Sequence, residues 1–123
     1  MITRTRKRTA LGKRGEAFAA QYFRERGATI VAANVHYACG ELDLIVKEPD
    51  GMIAFVEVKT RSTAAFGVAE AVTPRKLKRM RKAAAQWLNG KPLSTVRFDV
   101  IALVVNGQGF DVEYFPGVGN GAG

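Results

Sequence analysis

An α/β fold, with a central mixed sheet flanked by helices, is what this sequence predicts, and three observations carry the prediction. Two segments repeat apolar residues at helical spacing, several shorter ones alternate at strand spacing, and turn residues bound each of them. Their order along the chain is α-β-β-β-α-β-β, with no internal repeat and no linker. A length of 123 residues is that of one ordinary domain with room for a real core.

The elements follow in order. Residues 1–11 read as a basic N-terminal arm, 12–116 as the domain, and 117–123 as a flexible glycine-rich tail. From Gly12 to Arg26 the pattern is helical, with Leu11, Gly15, Phe18 and Tyr22 on one stripe and Gly27 placed to stop it. Three strands follow, Ile30 to Tyr37, Glu41 to Lys47 and Ile53 to Thr60, and Glu48-Pro49-Asp50-Gly51 is a hairpin signal between the last two. The second helix starts at Thr73, an N-cap, with Pro74 at the first helical position, where its missing N–H costs nothing. Leu77, Met80, Ala84, Trp87 and Leu88 form its apolar stripe, and Gly90 and Pro92 end it. A strand from Val96 to Val105, a turn at Asn106-Gly107 and a last strand from Phe110 to Phe115 complete the domain.

Composition narrows the class. Hydrophobic residues make up 47% of the chain, enough for a folded core rather than disorder. No apolar run approaches a membrane span, and Met1 to Ala10 is basic rather than apolar, so neither a membrane protein nor a secretory leader is expected. The single cysteine, Cys39, has no internal partner for a disulfide, which fits the cytoplasm. One histidine and one cysteine also exclude a four-ligand structural zinc site. The net charge of +8 points to a polyanionic partner, and leaves nucleic acid, an anionic membrane surface and an acidic protein open.

The chemistry is carried by the second and third strands. Residues two apart on a strand share a face. Leu42, Leu44 and Val46 therefore point one way and Glu41, Asp43 and Ile45 the other, while Phe55, Glu57 and Lys59 oppose Ala54, Val56 and Val58. If the turn makes these strands antiparallel neighbours, Asp43 and Glu57 meet on a common face with Lys59 beside them. Two converging carboxylates repel, and each costs several kcal/mol to bury unpaired. A hard cation removes both costs, and Mg²⁺ takes one or two carboxylates plus waters and substrate phosphate. The Val58 carbonyl would supply another oxygen, and Lys59 would orient or help deprotonate an attacking water. Alternating Glu and Lys is also how a solvated strand face reads, often with a cross-strand ion pair. The hydrophobic flanks Leu44-Ile45-Val46 and Ile53-Ala54-Phe55-Val56 instead suggest covered strands, where a charged group needs a reason.

Glu16, Gly40-Glu41-Leu42-Asp43-Leu44-Ile45, Phe55-Val56-Glu57-Val58-Lys59-Thr60-Arg61 and Arg97-Phe98-Asp99-Val100 together resemble the bacterial YraN-like family, a largely uncharacterised group. That family falls within the PD-(D/E)XK nuclease superfamily of restriction enzymes and archaeal Holliday-junction resolvases. The resemblance runs from Gly12 to Phe115, with the pieces in the right order. It implies a restriction-endonuclease-like αβββαβ core and a Mg²⁺- or Mn²⁺-dependent nuclease acting on DNA, with branched DNA among the substrates the resemblance suggests. It also implies roles: Asp43 as the metal-binding aspartate, Glu57 as the acidic ligand, Lys59 as the lysine of the E-x-K motif, and Glu16 as the acidic residue of the first helix. Gly12, Glu16, Ala19 and Phe23 share a helical face, which would bring Glu16 to a sheet; the alternative is an exposed glutamate near a helix start. Lys76 matches a family lysine on the second helix that would contact phosphate; the alternative is a solvated lysine. The chain departs from the superfamily pattern at Leu42, where a proline precedes the aspartate, which makes the match less specific while leaving the catalytic set intact. Resolvase-like relatives imply a homodimer, since cutting two strands takes two sites.

Arg75, Lys76, Lys78, Arg79, Arg81 and Lys82 crowd the start of the second helix, where like charges and the helix dipole both disfavour them. With Arg4, Arg6, Lys7 and Arg8 they would grip the phosphates of a nucleic acid, which fixes position and reads no sequence. A solvated basic face is the alternative. His36 reads as structural, Cys39 lacks the setting of a nucleophile, and Asp99 is expected to pair with Arg97 or another buried donor. No Walker loop or dinucleotide glycine signature is present. The competing functional classes are a non-catalytic nucleic-acid-binding module and a scaffold for an acidic protein partner.

Overall fold

A computed structural model of the chain describes residues 9–63 and 73–119. Arg4, Arg6, Lys7 and Arg8 of the expected basic arm lie outside the described residues, as does the end of the expected tail, 120–123. The elements run α1 (Ala10–Glu25), β1 (Thr29–Tyr37), β2 (Gly40–Lys47), β3 (Ile53–Arg61), α2 (Pro74–Leu88), β4 (Val96–Asn106) and β5 (Gly109–Phe115), the order read from the sequence. The expected α/β fold is what forms, a five-stranded sheet in the order β1-β2-β3-β4-β5 with two helices. All neighbours are antiparallel except β3 and β4, which are parallel and joined through α2. The sheet is therefore mixed, and a helix crosses where a parallel pair requires one.

Strand β3 sorts the core into two layers. Ala54, Val56 and Val58 pack with Leu44, Val46, Ile101 and Leu103 against Ala19 and Phe23 of α1. Ile53 and Phe55 pack with Ile45 against Met80, Ala83 and Ala84 of α2. The helices thus cover opposite faces, and β3 is buried from Ile53 to Val58. Apolar surface removed from water stabilises by ~25 cal/mol per Å², so a strand covered on both faces contributes strongly to the core.

The helix starts are chemically defined. α1 begins two residues before the expected Gly12, because Thr9 caps it by accepting the Gly12 N–H at 2.9 Å. α2 begins at Pro74 as expected, with Thr73 accepting the Lys76 N–H at 3.0 Å. Close approach fixes how each helix lies. A β-carbon on Gly15 would overlap the side chain of Thr60 on β3, so α1 lies against the strand that carries Glu57 and Lys59. A β-carbon on Gly40 would lie 2.7 Å from the Arg79 carbonyl oxygen, so α2 lies against the start of β2.

The β4–β5 side is closed by a buried polar cluster. Asp99 is fully buried and accepts from Arg97 Nε at 2.8 Å, Arg97 Nη2 at 3.0 Å, the Gly117 N–H at 2.9 Å and the Tyr114 hydroxyl. The hydrogen bond to Asp99 raises the Arg97 pKa further, and burial followed by the Asp99 bond raises that of Tyr114. Asp99 is thus paired as its sequence context predicts. Gly117 to Gly119, the start of the expected flexible tail, are fastened to the body: the Val118 N–H bonds Phe98 O at 2.7 Å, and Arg81 bonds Gly119 O at 3.2 Å.

Candidate active site

The site forms where β2 and β3 part. Their pairing runs from Lys47↔Ile53 to Leu44↔Val56 and ends there, one step before Asp43 and Glu57 would face each other. In place of a ladder bond, the Asp43 carboxylate accepts the Val58 N–H at 2.9 Å. This substitution satisfies a backbone donor that the parting would orphan. Side-chain alternation also breaks here. Leu42, expected to share a face with Leu44 and Val46, packs instead in the α2 layer with Met80 and Ala84, while Leu44 and Val46 pack in the α1 layer.

A cavity of about 930 Å³ opens at this point. Glu16, Asp43, Glu57, Val58 and Lys59 all line it, so the five residues assigned to catalysis and metal binding come together. Glu57 is buried, and its carboxylate forms an ion pair with Lys76 of α2. Glu16 reaches the cavity from α1 with its Oε1 buried. The starts of both helices reach the same cavity, α1 through Thr9 and Gly12 and α2 through Thr73 and Arg75. Each brings the positive end of a helix dipole toward the carboxylates.

The electrostatics centre on Asp43. Burial, then the nearby Glu57 carboxylate, and more weakly Glu16, push its pKa up to about 8, while the Val58 N–H and Lys76 pull the other way. A carboxyl so placed lacks a cationic partner sufficient to keep it ionised at neutral pH. The donor set suits a hard divalent ion: carboxylate oxygens crowded on one cavity wall, with a lysine alongside. Among the described residues no group of three or more His, Cys, Asp or Glu is arranged to hold a metal by itself. Asp43 and Glu57 would hold such an ion with the Val58 carbonyl, leaving waters and substrate oxygens to complete its shell.

The basic residues of α2 divide. Arg75, Lys76 and Arg79 line the cavity, one helical face. Arg81 is turned to Gly119, and Lys78 and Lys82 are exposed and do not line it. Sequence reasoning assigned no role to Arg61, although it lies two residues beyond Lys59 and lines the cavity. It likewise passed over Asn34 of β1 and read His36 as structural. Both line the cavity, His36 with Nδ1 3.6 Å from Glu41 Oε1, and Asn34 with a positive φ of 53° that few non-glycine residues adopt. The pairing Ala33↔Leu44 and Val35↔Leu42 sets Asn34 across from Asp43, a neighbour visible only once the β1–β2 register is known. Cys39 lies apart from the carboxylates, its thiol 3.5 Å from Gln86 Oε1.

Comparison with known proteins gives one consistent result. The model of the uncharacterised protein family UPF0102 matches residues 15–103, a span that contains Glu16, Asp43, Glu57, Lys59 and all of α2. A UPF0102 protein of Corynebacterium efficiens is 49% identical over 114 residues, covering 91% of this chain and 93% of its own. One from Corynebacterium glutamicum is 52% identical over 96 residues, covering 78% and 79%. One from Mycolicibacterium gilvum is 39% identical over 123 residues, covering 96% of this chain and 100% of its own.

Proposed function

The chain belongs to the uncharacterised protein family UPF0102, the YraN-like family whose motifs it carries, and we propose that its cavity is the active site of a divalent-metal-dependent nuclease that hydrolyses phosphodiester bonds in DNA. The observation that carries the proposal is the convergence of Asp43, Glu57 and Glu16 with Lys59 on one cavity, at a parting of two strands where burial and crowding raise the Asp43 pKa. A solvated strand face would show neither the burial of Glu57 nor that shift.

In this reading Asp43 and Glu57 would hold Mg²⁺ or Mn²⁺ with the Val58 carbonyl. Such an ion would supply Lewis-acid chemistry, polarising a phosphoryl oxygen and making a nearby water more acidic. Lys59 orients that water and stabilises the charge that develops on the phosphoryl oxygens. Glu16 adds a further carboxylate from α1, which would help hold and orient the attacking water. Arg61, Arg75 and Arg79 take the flanking phosphates, contacts that position a strand without reading its sequence. Branched DNA is the substrate we favour, with a homodimer presenting two such sites, and the cytoplasm as the compartment. No helix of the described residues is long and apolar enough to cross a membrane.

The test is cleavage of labelled duplex, single-stranded and four-way-junction DNA with Mg²⁺ or Mn²⁺, with Asp43→Asn and Lys59→Ala run beside the wild type. Metal-dependent cleavage lost in both variants is the expected result. Binding without cleavage, equal in all three proteins, would leave a binding module on this fold and overturn the proposal.

A further inference from the structure

The ion pair between Lys76 and Glu57 has a second meaning at a metal site. Glu57 is 8% exposed and Lys76 33% exposed, so the ammonium reaches in from the rim to a carboxylate that is almost covered. Lys76 stands in the first turn of α2, where the helix dipole disfavours a cation and Arg75, Lys78 and Arg79 add like charge. The helix does not favour its position, and Glu57 is the attraction that offsets this. We propose that Lys76 is an exchangeable counter-ion: its ammonium neutralises Glu57 in the metal-free chain, leaves when a divalent cation binds, and then takes a phosphate oxygen of the substrate. This rests on the nuclease reading and adds an order of events to it.

Three observations fit together under the exchange. Asp43, Glu57 and Glu16 converge on one cavity, and one Glu57 oxygen is engaged by the Lys76 ammonium. A divalent ion held by Asp43 and Glu57 would repel an ammonium on the same carboxylate, and the flexible lysine stem lets the charge move without the backbone following. The rim to which it would withdraw is lined by Arg61, Arg75 and Arg79, an environment for phosphate and not for a lone ammonium.

The exchange is tested with the full chain and Mn²⁺ alone, by titration calorimetry, on wild type, Lys76→Met, Lys76→Gln and Glu57→Gln. Expected is Mn²⁺ binding at least fivefold tighter in both neutral Lys76 variants and weaker in Glu57→Gln. Lys76→Gln keeps a hydrogen-bonding group beside Glu57, so the comparison stands if Lys76→Met folds poorly without metal. Mn²⁺ affinity unchanged or reduced in both Lys76 variants overturns the exchange and leaves the nuclease reading intact. No Mn²⁺ binding by any of the proteins overturns both. The second half is read by fluorescence anisotropy with a phosphorothioate oligonucleotide, which resists cleavage. Loss of affinity on Lys76→Met should be several times larger with Mn²⁺ than without, and an equal loss in both conditions overturns the transfer to phosphate.

Discussion

Burial and the Glu57 carboxylate hold the Asp43 pKa near 8, against an ordinary value of 3.8. In the unfolded chain Asp43 ionises near 3.8, whereas in the folded, metal-free chain it keeps its proton until about 8. Across that window the folded state binds more protons, so this residue's contribution to stability is full below about pH 3.8 and is lost as pH rises through about 8. Asp43→Asn carries no such proton. Metal-free wild type is therefore expected to lose melting temperature relative to Asp43→Asn between about pH 4 and about pH 8, and parallel curves would sink the assignment. A metal bound by Asp43 would reverse the sign, because ligation needs the ionised carboxyl and releases its proton. Asp99 is the contrasting case, a buried carboxylate whose bonds to Arg97, Tyr114 and the Gly117 N–H are all structural. Asp99→Ala would strand the Arg97 guanidinium, whose side chain is only 22% exposed, and should destabilise the fold by about 3 kcal/mol in urea unfolding. Adding Arg97→Met should recover part of that loss, while cleavage per folded molecule stays unchanged.

At the scale of elements, the approach of α1 to β3 brings Glu16 to the cavity, and that approach depends on Gly15. Alanine in place of a mid-helix glycine ordinarily stabilises a helix by about 1 kcal/mol. Here the added carbon would overlap Thr60, and overpacking costs typically 1–3 kcal/mol, so the steric penalty outweighs the propensity gain. Gly15→Ala should lower stability and reduce cleavage by moving Glu16, whereas Gly15→Ala with Thr60→Ala should restore both. Additive effects in that double-mutant cycle would show that the two positions do not touch. None of this contact was legible in the sequence, which marks Gly15 only as a small residue on an apolar stripe. The elements themselves were legible because their signals are local: Thr73 and Pro74 start α2, and the turn before Gly51 sets β2 antiparallel to β3. Asp43, Glu57 and Lys59 were legible through strand alternation and motif. The parting of β2 from β3 was not, because it depends on a side chain replacing a backbone acceptor at Val58. Leu42 was misplaced for the same reason, since strict alternation fails where the ladder ends.

For the whole molecule, the net charge of +8 alone would predict a diffuse attraction to any polyanion. The fold turns part of that charge into a directed surface, with Arg75 and Arg79 on the cavity and Lys78 and Lys82 away from it. Cations that meet phosphate release counter-ions from duplex DNA, and the slope of log affinity against log salt changes by about 0.9 for each contact. Arg75→Ala and Arg79→Ala should each lower the magnitude of that slope by about one unit and weaken binding equally across sequences. Lys78→Ala and Lys82→Ala should leave the slope within measurement scatter, because both side chains stand off the path through the cavity. The comparison uses anisotropy with one duplex over a range of salt, with Asp43→Asn as the background so that cleavage does not intervene. Equal slope losses from all four variants would mean that DNA lies along the exposed face of α2 and not through the cavity. The carboxylates would then lie too far from the backbone to act on it, and the basic face would have to be read as a binding surface without a reaction.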